Sequence, residues 1–274
     1  MPPGPWQLEP IAVDGSNKDW PSPYPEYDDK AMLGYAVSND KDNLYITVET
    51  GDAATQLKIL REGLTVWIDR KGDKEEITGI NYPIPVSVDE TKQGSSQRPS
   101  SMHAQQGSGT MDREQKKRME LEDRVRKMLP DANEFSLQGF KSCNLQFPIM
   151  EKDTCGVIVR LGIDADDEMV WEAVVPFKSF YFKSEITKAD KGKAITICFE
   201  TTAMKRPAGQ SSGNRGGGHG GGGGFSPGVG MGGMGMRMGG GGHGGHSNPQ
   251  SAPDIMEPAY KSTKTYKKFG LAFQ

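Results

Sequence analysis

Hydrophobic and polar residues alternate along much of this chain with a period of two, which is the pattern of half-buried β-strands. In the clearest example Leu44, Ile46 and Val48 share one face, and the residues between them take the other. Runs of this kind, bounded by turn-forming residues, predict roughly ten strands. They lie at residues 11–14, 31–37, 43–50, 63–69, 75–82, 134–140, 144–149, 156–163, 169–175, 193–201 and 266–274. Antiparallel connections between them predict an all-β fold, a jelly-roll-like antiparallel β-sandwich.

Two segments have helical spacing instead. Residues 52–62 place Leu57 and Leu60 on one face, and Gly63 ends the segment. Residues 112–129 carry an apolar stripe among dense charges of both signs, formed by Leu121, Val125, Met128 and Leu129. The stripe is short, so it predicts a helix that lies on the sandwich and not a coiled coil that seeks a partner.

Two flexible insertions interrupt the strand pattern. The first, 86–130, is a polar loop rich in Ser, Gln, Lys and Gly, followed by the helix 112–129. The second, 207–253, is a Gly/Met/His-rich loop with more than half of the chain's 36 glycines. Because alternation returns at 266–274, we expect this second tract to be a loop inside one β-sandwich domain over 11–274. Residues 1–10 form an extended N-terminal segment before it.

Charge and composition exclude several classes of function. The formal net charge of -3 among 274 residues does not draw the whole chain to nucleic acid. No apolar run approaches the length of a transmembrane segment, and the first residues lack the features of a signal peptide. All four histidines lie in the polar loop or the glycine-rich tract, away from any strand that would position a catalytic base. The sequence therefore predicts no enzyme and no cofactor other than a candidate calcium ion.

The three cysteines, Cys143, Cys155 and Cys198, have neither zinc-site nor redox-motif spacing. We interpret them as small, partly buried thiols, with a Cys143–Cys155 disulfide as the alternative.

Several short motifs occur in an order that resembles the family-nine carbohydrate-binding modules and the wider DOMON-like sandwich group. They are Val-Asp-Gly at 13–15 followed by Trp20, Asn-Leu-Tyr-Ile at 43–46, Gly-Leu-Thr-Val-Trp-Ile-Asp at 63–69, Trp-Glu-Ala-Val-Val-Pro at 171–176, and closing strands at 194–200 and 269–273. The resemblance covers about 11–82 and 134–274. It implies an extracytoplasmic sandwich that holds sugar between two aromatic side chains, with structural calcium nearby.

Candidate ligand-binding residues follow from aromatic character and from this resemblance. Trp20 and Trp171 are candidates to stack on a pyranose ring, as is Trp67, although a tryptophan in a strand often covers sheet or core. Tyr260 lies in the loop before the last strand, where the resemblance implies a second aromatic.

A cluster of carboxylates marks the turn between the strands at 156–163 and 169–175. Asp164, Asp166 and Asp167 are candidate calcium ligands, because calcium prefers several carboxylate or carbonyl oxygens. A solvated hairpin turn is the alternative interpretation.

We therefore expect a non-catalytic, extracytoplasmic binding module that is carbohydrate-binding-like, with its ligand unassigned and a glycan or protein as partner. The alternative is a structural or protein-interaction sandwich that has lost sugar binding, which the lack of an aromatic residue at 58–62 favours. Further alternatives are a hydrolase and a metal-binding protein, the latter through the methionines and histidines of 231–246 as copper(I) ligands.

Overall fold

A computed structural model describes residues 5–21, 24–85, 111–141, 143, 146–149, 155–181, 183, 185–207 and 254–273. The polar loop at 86–110, nearly all of the glycine-rich tract and all four histidines lie outside these described residues. The chain divides into a compact unit of Met1–Lys205 with Asp254–Gln274, and a second unit, Arg206–Pro253, of which only two residues are described.

The described residues form two antiparallel sheets, which confirms the predicted all-β sandwich. The strands are β1 (Glu26–Asp28), β2 (Leu33–Asn39), β3 (Asn43–Thr50), β4 (Leu64–Asp69), β5 (Thr78–Tyr82), β6 (Glu134–Gln138), β7 (Gln146–Pro148), β8 (Ile158–Ile163), β9 (Met169–Pro176), β10 (Ala194–Thr201) and β11 (Thr263–Gly270). One sheet has the order β1-β2-β3-β9-β8, and the other has the order β11-β10-β4-β5-β6-β7.

The core lies between the two sheets and follows directly from the two-residue period. Leu44, Ile46 and Val48 of β3 are all buried, as the alternation predicts. They contribute to one cluster with Trp171 of the same sheet and Phe199 of the facing sheet. The opposite side chains of each strand form the outer face of its sheet.

Both predicted helices are present and pack together beside the sheets. Helix α1 (Ala53–Glu62) begins where the Asp52 side chain accepts a hydrogen bond from the backbone N–H of Thr55 at 2.7 Å, and it ends at Gly63. Helix α2 (Met111–Met128) lies against α1 and buries Val125. A third, short helix, α3 (Phe177–Phe180), follows β9. Among the described residues no helix is long and apolar enough to cross a membrane.

The last strand joins the chain's C-terminal segment to the sheet, although its bounds differ from those predicted. β11 pairs along its whole length with β10 and ends at Gly270 instead of continuing to residue 274. Beyond it Ala272 leaves the ladder, because its backbone N–H is bound by the side chain of Asn39 at 2.9 Å. At the open edge Lys267 of β11 forms an ion pair with Glu26 of β1 at 2.6 Å, which links the two sheets.

The strand predicted at residues 11–14 is wrong. The backbone N–H groups of Asp14 and Gly15 bind the buried carboxylate of Glu172, at 3.1 and 2.7 Å, instead of joining a strand ladder. The alternation at 11–14 therefore belongs to a segment that packs on the outer face of the five-stranded sheet without joining it. Ile11 is buried between this segment and the sheet.

Cys143 and Cys155 form a disulfide with Cα atoms 6.3 Å apart, so the interpretation of both as thiols is wrong. Cys198 is a free, buried cysteine on β10.

Candidate functional site

The outer face of the five-stranded sheet is covered by the protein's own N-terminal segment. Trp20 lies there with only 8% of its surface exposed, packed with Ile11, Ala36 and Tyr45. Its indole N–H donates to Oε1 of Glu172 at 2.6 Å. Trp20 is thus held as a structural residue and offers no open ring face to a ligand.

The other two predicted ligand contacts lie elsewhere and are not brought together with Trp20. Trp171 is 1% exposed between the sheets, and its indole N–H donates to the carbonyl of Tyr82 at 3.2 Å. Tyr260 is half-buried in the 3-10 turn Glu257–Tyr260, against the edge of the core. No shared groove connects these three aromatic side chains within the described part of the chain.

In the acidic turn between β8 and β9 the carboxylates accept hydrogen bonds from the turn's own backbone and from neighbouring side chains. Asp164 accepts hydrogen bonds from the backbone N–H groups of Asp166 and Glu168, at 2.9 and 3.0 Å, and from the Asn17 side chain at 3.1 Å. Asp167 forms an ion pair with Arg126 of α2. Among the described residues no group of three or more His, Cys, Asp or Glu side chains is placed to hold a metal ion. Calcium binding here stays a prediction.

Trp67 of β4 lies on the outer face of the six-stranded sheet, where it is partly exposed. Trp67 of β4 is paired with Cys198 of β10 on one side and with Gly79 of β5 on the other. Cys198 is in turn paired with Tyr266 of β11. Trp67 and Tyr266 therefore share one row across the sheet, about 10 Å apart at two strand spacings.

Trp67 is held in a fixed orientation. A Cβ atom at Gly79 would lie 2.6 Å from Cε3 of the indole, so the benzo ring rests directly on the glycine backbone. The indole N–H donates to Oε2 of Glu200 at 2.7 Å. With one ring face on Gly79 and the nitrogen anchored, the opposite ring face points away from the sheet, and the side chain is partly exposed.

Charged and polar groups surround this indole in a connected network. Lys264 forms ion pairs with Glu200 at 3.2 Å and with Glu76 at 2.8 Å. The hydroxyl of Tyr266 donates to Glu76, and this hydrogen bond raises the pKa of Tyr266 to about 12, so that the phenol stays neutral. We call Trp67, Glu76, Glu200, Lys264 and Tyr266 the Trp67 face. It combines one flat apolar surface with several fixed hydrogen-bonding groups.

The sequence carries a signal for this face. Trp67 lies between Val66 and Ile68, both buried, so the alternation already puts it on the outer side of β4. Gly79, a glycine inside a predicted strand, indicates a place where a large neighbour covers the backbone. Only the strand register, which the sequence does not give, shows that this neighbour is Trp67.

A cleft of about 410 Å³ opens at the end of β4, lined by Arg70, Lys71, Tyr181, Lys193 and Ala194. We call it the basic cleft. Its first wall is the β4–β5 turn, which is built on the Asp69 carboxylate. Asp69 accepts backbone N–H groups from Lys71 at 2.8 Å and from Glu75 at 3.3 Å. Burial acts to raise the pKa of Asp69, but these backbone hydrogen bonds outweigh it and lower the pKa.

The second wall is fixed by a buried carboxylate. The side chain of Asp190 is 0% exposed, and its Oδ1 binds Lys183 at 2.6 Å and Lys193 at 3.0 Å. Its Oδ2 accepts the backbone N–H of Thr187 at 2.9 Å. The hydrogen bond from Lys183 is the largest cause of a strongly lowered pKa of Asp190. The two lysines are thus positioned with their ammonium groups partly exposed.

No protein-family model matches the chain, and no curated protein matches it. Among solved structures it is similar to a family 9 carbohydrate-binding module from Caldicellulosiruptor kristjanssonii in complex with glucose, at 9% identity and a TM-score of 0.31, over 72% of this chain and 76% of that one. The same family 9 module in complex with cellotriose gives 11% identity and a TM-score of 0.31, over 72% and 73%.

Proposed function

We propose that this protein is a non-catalytic glycan-binding module and that it binds its ligand on the Trp67 face. The observation that carries the proposal is the indole of Trp67, seated on Gly79 and anchored to Glu200 with its other face directed outward. A sugar ring has one apolar C–H face and a rim of hydroxyls. The indole matches the first, and the carboxylates and ammonium around it match the second.

A rigid aromatic surface is what such recognition requires. Ordering a side chain on binding costs free energy, and a side chain that is already fixed avoids that cost. Trp67 is fixed by a ring contact on one face and by a 2.7 Å hydrogen bond at its nitrogen. Tyr266, in the same row and held by Glu76, carries the Lys74 ammonium over its ring at 5.3 Å from the centroid, so it adds a further hydrogen-bond donor beside the indole for a neighbouring sugar unit.

The carboxylates of the Trp67 face support binding and not hydrolysis. A glycosidase needs a carboxyl group with a raised pKa to protonate the leaving oxygen. The hydrogen bond from Lys264 lowers the pKa of Glu76 instead. Among the described carboxyl groups the raised pKa values belong to Glu49 and Glu172, on the five-stranded sheet and away from Trp67.

The disulfide supports the extracytoplasmic location that is part of this proposal. Disulfides such as Cys143–Cys155 form and persist mainly in secreted, periplasmic and lumenal proteins.

The test is glycan binding by wild type and by Trp67→Ala. A screen of neutral and acidic oligosaccharides selects the ligand, and titration calorimetry then measures the affinity of the full chain. We expect Trp67→Ala to weaken binding by about 30-fold or more, equivalent to about 2 kcal/mol, as for a buried aromatic anchor.

The matched control is Tyr27→Ala, which removes an aromatic side chain that is 57% exposed on the other sheet. It should bind as wild type does. Circular dichroism establishes that Trp67→Ala is folded, and Gly79→Ala is a second variant that moves the indole without removing it. Equal affinities for wild type and a folded Trp67→Ala protein would contradict the proposal, and the role of Trp67 would then be structural only.

A further inference from the structure

The basic cleft is lined by cations, two of which also form ion pairs: Lys71 with Glu75 and Lys193 with Asp190, each at 3.0 Å. Of the five described residues that line it, Arg70, Lys71 and Lys193 are cationic and none is acidic. The protein as a whole carries a net charge of -3, so this positive charge is local. Such a concentration of cations in a concave site attracts an anionic group.

Carboxylates hold two of these cations in place. Asp190, which is inaccessible to solvent, holds Lys193 together with Lys183. Asp69 orders the backbone that carries Lys71, and Gly72 adopts a φ of +80° where a Cβ atom would meet Cε of Lys268 at 2.9 Å. The Lys268 side chain therefore lies beside the same turn and adds a further positive charge next to the cleft.

The basic cleft lies close to the Trp67 face along the chain. Asp69 follows Trp67 by two residues on the same face of β4, and the cleft begins at the next residue. β4 ends at Asp69 and the chain turns at Arg70 and Lys71, so their Cα atoms lie no farther than about 13 Å from that of Trp67, the reach of four extended residues. An extended oligosaccharide seated on the indole spans that distance within a few sugar units.

We infer that the ligand is an acidic glycan, and that the basic cleft binds a carboxylate or sulfate group of a sugar unit near the one seated on Trp67. This inference rests on the proposed function and specifies its substrate class. Tyr181, which packs against Phe177 and Phe180, lines the cleft and carries the Lys183 ammonium over its ring, 5.8 Å from the centroid, so it adds a further cation beside the cleft. The three cations supply the charge-assisted hydrogen bonds.

The experiment compares an oligogalacturonate with its methyl ester, which has the same backbone without the charge, and with a sulfated galactan oligosaccharide. We expect the full chain to bind the acid, the sulfated sugar or both about tenfold more tightly than the ester, the gain expected of one or two charge-assisted hydrogen bonds. The preference should decrease as salt is added. The better of the two acidic ligands identifies the anionic group.

The variant Lys71→Gln/Lys193→Gln should lose this preference and bind acid and ester alike. Its control, Lys188→Gln/Lys191→Gln, removes the same charge from exposed lysines of the neighbouring connection and should keep the preference. Equal binding of acid, sulfated sugar and ester by wild type, with loss of all three in Trp67→Ala, would overturn the acidic-glycan inference and leave the proposed function intact.

Two further outcomes would also overturn the inference. If polyglutamate or single-stranded DNA competes as well as the acidic sugar does, the cleft is a general anion site. If no glycan of any kind binds, the proposed function fails together with the inference.

Discussion

The indole N–H of Trp20 donates to Oε1 of Glu172 at 2.6 Å, and the other carboxylate oxygen accepts the backbone N–H groups of Asp14 and Gly15. Three donors of the N-terminal segment thus meet one buried carboxylate on β9. Burial raises the pKa of Glu172, while the hydrogen bonds from Trp20 and Gly15 act in the opposite direction. The Glu172 carboxylate thus holds the N-terminal segment against the five-stranded sheet through three hydrogen bonds.

Glu172→Gln should therefore destabilise the protein strongly. The amide oxygen can still accept from Trp20, but the amide nitrogen then faces two backbone donors, which leaves buried groups without acceptors. We expect a loss of about 2–3 kcal/mol in the free energy of unfolding, measured by urea denaturation. The control Glu185→Gln changes an exposed carboxylate and should stay within about 0.5 kcal/mol of wild type. Coincident urea midpoints for all three proteins would contradict the role given to Glu172.

Alternation was sufficient to predict most of the fold. The strand 43–50 and the helices around residues 57 and 121 were predicted to within a residue or so, because their burial is set by local spacing. The segment 11–14 was misassigned for the same reason: it buries Ile11 with strand-like spacing, but its N–H groups bind a side chain about 160 residues away.

The site was harder to predict, because it depends on which strands are neighbours. Both Trp20 and Trp67 are candidates in the sequence, Trp20 outside the predicted strands and Trp67 within one, and neither position shows which ring stays accessible. The fold buries the first within the N-terminal segment and leaves the second partly exposed on the outer face. The basic cleft combines residues near 70, 181 and 193, which no local pattern connects.

Glu49 should make stability depend on pH. Burial is the largest cause that raises the pKa of Glu49 to about 7, and the nearby negative charge of Glu168 adds to it against a hydrogen bond from Asn17. The raised value means that the folded state holds a proton that the unfolded state has released. Stability from this group is therefore complete below about pH 4.5 and is lost as the pH rises to 7.

The variant Glu49→Gln, which keeps the neutral form at every pH, tests this. The difference in unfolding free energy between Glu49→Gln and wild type should shift in favour of the variant by about 1–2 kcal/mol between pH 5 and 8, after allowance for solvent screening. Urea denaturation at a series of pH values measures it. Parallel stability curves for the two proteins would show that Glu49 is ionised throughout.

The contribution of Asp190 to stability should depend on pH in the direction opposite to that of Glu49. Its pKa is lowered chiefly by the hydrogen bond from Lys183, so its contribution is present above the unfolded pKa and is lost as the pH falls. Asp190→Asn removes the buried charge between Lys183 and Lys193, and we expect a cost of about 2–3 kcal/mol at pH 7. The cost should shrink below about pH 4. Thermal unfolding at pH 7 and pH 3 compares the two states, and a loss of equal size at both would contradict an ionic role.

The disulfide gives a prediction about the number of reactive thiols. Cys143 and Cys155 are joined across a separation of 12 residues, and Cys198 is free and buried, with its pKa raised by burial to about 11. Thiol titration of the native protein at pH 8 should therefore find almost no reactive group. The same titration in urea should find one thiol without reductant and three after reduction.

Reduction, or the pair Cys143→Ser/Cys155→Ser, should lower the free energy of unfolding by about 2–3 kcal/mol, because the unfolded chain regains the freedom that a closed loop of this length removes. The control Cys198→Ala should remain sensitive to reductant, since it keeps the cross-link. Three reactive thiols in the unreduced, unfolded protein would show that the bond is not formed, and the support it gives to an extracytoplasmic location would be lost with it.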